Sequence, residues 1–160
     1  MRLQSLKSIL ILVACYGLFA SCKKDAYLPT DADQYLIFGH YYGECFGEAC
    51  VETFKLTHTA LYEDTNDPYA GNGPFNFEKL PDSQYVSAKH MFKQIPNELL
   101  EQPDSTFGCP DCADGGGLYI EYKKNNFIGK WRIDQYEGHV PAFLHPFIQE
   151  VNRTIRDINK

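Results

Sequence analysis

Hydrophobic and polar positions change period several times along this chain, and the changes divide it into elements. Tyr35 to Tyr42 is an aromatic and aliphatic run that reads as a first strand. After the cysteine-bearing loop 43–50, Phe54, Leu56, Ala60 and Tyr62 fall on one face between polar neighbours. A turn near His58 divides that stretch into a hairpin, Val51–Thr57 and Thr59–Asp64. Thr65 to Pro74 is turn chemistry throughout. A helix is predicted over Ser83–Gln94, with Tyr85, Ala88, Phe92 and Ile95 as its apolar stripe; Pro96 stops it, and Asn97–Gln102 has room for one more turn.

The clearest signal comes later. Leu118–Lys124 and Phe127–Asp134 alternate with period two around Asn125-Asn126, a pair suited to a type I′ turn. That turn sets Tyr122 opposite Gly129, Ile120 opposite Trp131 and Leu118 opposite Ile133. On the other face it pairs Glu121 with Lys130, outside, and Tyr119 with Arg132. A slip of one residue would destroy both sets, and Tyr122 is placed to cover the strand glycine. A last helix runs from Pro141 or Pro146 to Ile158, with Leu144, Phe147, Ile148, Val151, Ile155 and Ile158 in one stripe. The order β-β-β-α-β-β-α predicts an α+β two-layer sandwich: a mainly antiparallel sheet of about five strands with two helices on one face.

The first residues follow different rules. Arg2 and Lys7 precede an uncharged apolar run, Ile9 to Ala20, of twelve residues. A membrane-spanning helix needs about 20, so the run reads as the core of a signal peptide. Phe19-Ala20-Ser21-Cys22 resembles the lipobox of bacterial lipoproteins, and with Lys23-Lys24-Asp25 it is similar to lipoproteins of the Bacteroidota. The resemblance implies cleavage after residue 21 and lipidation of Cys22. Residues 22–33 then form a tether and residues 34–160 a single domain, held in the cell envelope at the outer membrane with either face open to it. Two acyl chains suffice for stable anchoring.

Composition narrows the partners. The full chain of 160 residues carries a formal charge of −6; removing residues 1–21 takes away Arg2 and Lys7 and no acid, leaving 13 basic against 21 acidic residues, or −8. That balance gives no electrostatic case for nucleic acid.

The spacing Gly43-x-Cys45-x-Gly47-x-x-Cys50-x-x-x-Phe54, a hairpin ending in Tyr62-Glu63 and a proline-started final helix resemble a family of Bacteroidota envelope domains with the motif Gly-x-Cys-x-Gly-x-Cys-Pro-x-Tyr. This chain departs from it by one extra residue between the cysteines, by Val51 for Pro and by Phe54 for Tyr. The family has no assigned activity, so the resemblance implies an envelope location and no chemistry.

Cys15 lies in the signal peptide, and four cysteines remain beside Cys22. Export through an oxidising compartment favours two disulfides, and of three connectivities the local one, Cys45–Cys50 with Cys109–Cys112, closes the shortest loops. Two other uses compete for the same residues: a zinc site of four thiolates, and thiol–disulfide work by Cys109 and Cys112. His40, His58, His90, His139 and His145 form no ligand spacing, and no nucleophile elbow, P-loop or dinucleotide fingerprint occurs. Glu44, Glu48 and Glu52 read as a solvated acidic face.

Eleven Tyr, eleven Phe and one Trp exceed what a small core needs. Most of the loop aromatics are expected to pack back onto the sheet; Tyr42, Phe46 and Tyr69 are the candidates for contact with an envelope protein or a glycan. The sequence thus reads as a membrane-anchored, non-catalytic binding or structural module without a cofactor or metal. The alternatives are a thiol- or metal-dependent protein and an inhibitor of an envelope enzyme.

Overall fold

A computed structural model describes residues 32–160. The fold is α+β. Its sheet has seven strands: β1 (Gln34–Tyr41), β2 (Val51–Leu56), β3 (Leu61–Asp64), β4 (Phe77–Lys79), β5 (Thr106–Phe107), β6 (Gly117–Lys124) and β7 (Phe127–Asp134). They lie in the order β4-β3-β2-β1-β6-β7-β5, antiparallel except for the short β5 beside β7. Among the described residues three α-helices accompany them: α1 (Asp82–Ala88), α2 (Asn97–Leu100) and α3 (His145–Ile158). The expected five strands and two helices therefore fall short, because β4, β5 and α2 have three, two and four residues. Such lengths are too short for a period of 2.0 or 3.6 to repeat.

The β6–β7 register is the expected one, Lys124↔Phe127 through Leu118↔Ile133. Two details differ. Only Asn125 takes a positive φ, 53°, so the turn is not type I′; its N–H donates to the Asp33 carbonyl at 2.7 Å, which ties the turn to the start of β1. The ring over Gly129 belongs to Trp131 on the same strand rather than to Tyr122, whose ring packs 6.4 Å from Phe127. The β2–β3 hairpin also differs. The Thr57 N–H bonds the Ala60 carbonyl at 2.9 Å, so β3 starts at Leu61 opposite Leu56, and Leu61 takes the core place expected of Tyr62.

Alternation along the strands separates two faces. Leu36, Phe38, Phe54, Leu56, Leu61, Leu118, Ile120, Trp131 and Ile133 are buried together with the α3 stripe and with Ala88, Met91 and Leu99. All six residues of the predicted stripe are buried, five of them in α3 and Leu144 just before it. Ala142–Leu144 is a turn of 3₁₀ helix behind Pro141, and Pro146 sits in the first turn of α3, so each proline opens a helical segment. The predicted helix 83–94 is shorter in its α form. It tightens to 3₁₀ over Lys89–Lys93, which carries Met91 into the core and leaves Tyr85, Phe92 and Ile95 partly buried at its edge.

The opposite face holds a smaller cluster of Ile37, Tyr41, Ala70 and Tyr119, with Phe75 and Phe77 packed against it. Thr65–Pro74 is therefore more than a turn: it folds over the outer face. Glu121 and Lys130 pair across that face at 3.0 Å as expected, but Glu121 is only 6% exposed.

Candidate binding surface

The register Val51↔Tyr41↔Gly117↔Asp134 brings one end of β2, β1, β6 and β7 together. Both cysteine segments lie at this end. Cys50 directly precedes β2, and the loop with Cys109 and Cys112 leads into β6. The four cysteines sit at disulfide-bonding distance in the local pairing, Cys45 with Cys50 and Cys109 with Cys112, with Cα separations of 5.6 and 5.4 Å.

Asp111, between the second pair of cysteines, joins three segments. Its Oδ2 accepts the Gly43 N–H at 2.8 Å and the Tyr69 hydroxyl, and its Oδ1 accepts the Gly116 N–H at 3.0 Å. The residue holds φ 60°, a conformation that Asp tolerates better than most side chains. The bond from Tyr69 pushes that phenol up to about 12, with burial adding to it. Gly116, at φ +74°, has the Tyr42 ring against its backbone where a Cβ would stand.

A second anchor lies beside this one. Asp134 is buried and accepts from the Cys109 N–H (3.0 Å), the Tyr136 N–H (2.9 Å) and His139 Nδ1 (2.8 Å). Burial favours its neutral form, but these donors outweigh it and hold the carboxyl below the usual range. Neither Asp111 nor Asp134 was foreseen as structural, since their partners lie up to 68 residues away and leave no local pattern. The only hint is an Asp enclosed by two cysteines.

What this framework presents is aromatic. Phe46, within the Cys45–Cys50 loop, is fully exposed, Tyr69 is 45% exposed and Tyr136 is 64% exposed. Tyr42 is half-buried, its ring 5.3 Å from that of His40, so it contributes an edge rather than a projecting side chain. Tyr41, Phe75 and Phe77 pack back onto the sheet.

Local cysteine pairing leaves no set of four thiolates, and among the described residues no group of three or more His, Cys, Asp or Glu is placed to hold a metal ion. Cys112 opens only a three-residue 3₁₀ turn, between Asp111 and Asp114. No long helix begins at this cysteine.

All five histidines are bonded. His40 meets Glu52 at 3.0 Å, His90 meets Glu150, His139 meets Asp134, His145 lies 3.7 Å from Glu137, and His58 contacts Gln34 at 3.1 Å. Glu52 is turned toward His40 and Asn159, so it leaves the expected acidic face; Glu44 stays exposed, and the Glu48 side chain lies outside the described residues. Cys22 and the expected signal segment also lie outside them. Among the described residues no helix is long and apolar enough to cross a membrane.

No protein-family model matches this chain, and no curated protein matches it.

Proposed function

We propose that this chain is a lipid-anchored envelope protein whose domain is a non-catalytic binding module, and that it meets a protein partner through Phe46, Tyr69 and Tyr136. The exposure of Phe46 inside a loop closed by Cys45 and Cys50 carries this reading. An isolated apolar ring held in water gains about 1.5–3 kcal/mol when a partner covers it. A loop already closed by a crosslink loses little further entropy on binding.

Direction supports it too. The domain begins beside the β6–β7 turn, where Asn125 and Lys123 hold the backbone of Asp33 and Ala32, and β1 then runs eight residues to the aromatic end. At about 3.3 Å per residue that is roughly 25 Å. With Cys22 acylated, nine residues lie between the anchor and Ala32, a reach of at most about 35 Å. That reach exceeds the length of β1, so such a tether would let the aromatic end stand away from the anchoring bilayer and meet partners there.

The test is a photo-crosslinking amino acid at position 46 in intact cells, with position 128 as control. Ile128 is also exposed and lies near the tether end. A discrete adduct from 46 and none from 128 is expected. Equal adducts from both positions, or none from 46, would refute the assignment.

A further inference from the structure

Two cavities of about 490 and 450 Å³ lie along α3 and share Asn152 and Arg156 as walls. Both volumes suit a small ligand. Tyr42 lines the first, and Gln135 and Gln149 line the second. The helix creates this surface by its own period: Gln149, Asn152 and Arg156 stand at i, i+3 and i+7, beside the buried apolar stripe.

The hydrogen bonds leave a particular set of atoms available. Gln149 Nε2 donates to Glu137 at 2.7 Å and Asn152 Nδ2 donates to Gln135 at 3.1 Å. Each amide spends one of its two N–H donors in this way and keeps the lone pairs of its oxygen. Gln135 Nε2 is buried without a partner. Arg156 makes no hydrogen bond or ion pair among the described residues; the Asp157 beside it is held by Lys160 at 2.5 Å. In contrast, Arg153, one turn away, is committed to Glu150.

We infer that this groove binds an acidic saccharide, with its carboxylate on Arg156 and its hydroxyls on the amide oxygens of Asn152 and Gln149. The guanidinium presents a planar fork of donors that matches a carboxylate. Sugar hydroxyls donate as well as accept, so they suit a row of open amide oxygens. The Tyr42 ring, pinned against Gly116, supplies an apolar surface for the C–H side of a pyranose. A bare anion would use Arg156 and leave the amides idle. This goes beyond the function proposed above and needs neither the anchor nor Phe46.

Calorimetric titration of the full-length protein in detergent tests it, with digalacturonate as the probe and neutral digalactose and inorganic phosphate as comparisons. Saturable binding of digalacturonate is expected, at least about tenfold tighter than digalactose, with phosphate a poor competitor. Arg156→Ala should weaken it by about tenfold or more, the loss of a charge-assisted bond. Arg156→Lys should lose less, Asn152→Ala should weaken it, and Ile128→Ala, at the other end of the sheet, should leave it unchanged. Because Arg156 is exposed and unbonded, the thermal midpoint of Arg156→Ala should match wild type. No saturable binding, equal binding of both sugars, equal competition by phosphate, or an unaffected Arg156→Ala variant would each overturn the inference.

Discussion

Glu121 is the most informative single side chain to perturb. It is buried on the outer face, where its Oε1 accepts the Tyr35 hydroxyl at 2.7 Å and its Oε2 accepts the Tyr119 hydroxyl at 2.8 Å and the Lys130 ammonium at 3.0 Å. Burial pushes the carboxyl toward its neutral form, but the two tyrosines and the lysine more than offset it, and the net shift is downward. Burial, and then the bond to Glu121, raises both phenols. A carboxyl with a depressed folded pKa contributes stability that is complete above its ordinary value, about 4.3. That contribution fades as pH falls through the folded value. Glu121→Ala removes these bonds and strands the buried Tyr119 hydroxyl, whereas Lys130, over half exposed, returns to water. The expected cost is about 3–5 kcal/mol near neutral pH. Glu121→Gln keeps an acceptor for one tyrosine and should cost about 1–2 kcal/mol. Lys130→Ala should cost less than about 1 kcal/mol. Urea unfolding from pH 7 down to 3.5 measures this. Glu52, Asp134 and Glu150 also have lowered pKa values, so wild type is itself acid-sensitive. The diagnostic is the difference between wild type and Glu121→Gln, which should shrink below about pH 4. A difference that is absent at pH 7, or constant down to pH 3.5, would refute the argument.

Other expectations follow from single features. Replacing Cys45 and Cys50 together with Ser opens a loop with a sequence separation of 5, which should lower stability by about 2 kcal/mol on loop entropy; denaturant midpoints with and without reductant measure it. Gly39→Ala places a methyl against the Glu52 carbonyl and 2.9 Å from Thr53 Cα on the neighbouring strand. Backbone cannot rotate aside as a side chain can, so a loss of about 1–3 kcal/mol is expected by thermal unfolding. Cys22→Ala should move the protein from the membrane to the soluble fraction; retention in the pellet with unchanged palmitate labelling would exclude the anchor.

What the sequence disclosed depended on repetition. The β6–β7 pairing and the α3 stripe were readable because eight and fourteen residues keep a constant period, long enough for alternatives to bury the wrong side. Pairing order alone could not say which ring covers Gly129, because Trp131 reaches it diagonally along its own strand. In 65–74 the turn residues hid the approach to a second core. Ala70 and Phe75 carry no period, and their burial against Tyr119 comes from tertiary contact. At the candidate surface, Phe46 and Tyr69 were legible as aromatics in polar loops. The bracing by Asp111 and Asp134 was not, because it joins segments distant in sequence.

The two cysteine pairs are better understood as shaping loops than as holding the domain together. A continuous core already spans both long hairpins and all three helices, and a domain of this length buries enough apolar area to fold without crosslinks. Crosslinks between residues five and three apart remove less chain entropy than a longer loop would. Their effect is local. Gly43 to Gly47 is exposed along its length, and its described ties are the Asp111 bond to Gly43, the Cys50–Gly47 backbone bond and the Cys45–Cys50 pair. Asp111 sits inside the other cysteine loop, so each pair helps to hold the other's position. An exposed phenylalanine on a segment with so few packing contacts would otherwise sample many orientations and lose binding energy to ordering. Fixing that segment from both sides is the physical reason to assign contact to this end of the sheet rather than to the half-exposed Ile128 at the other.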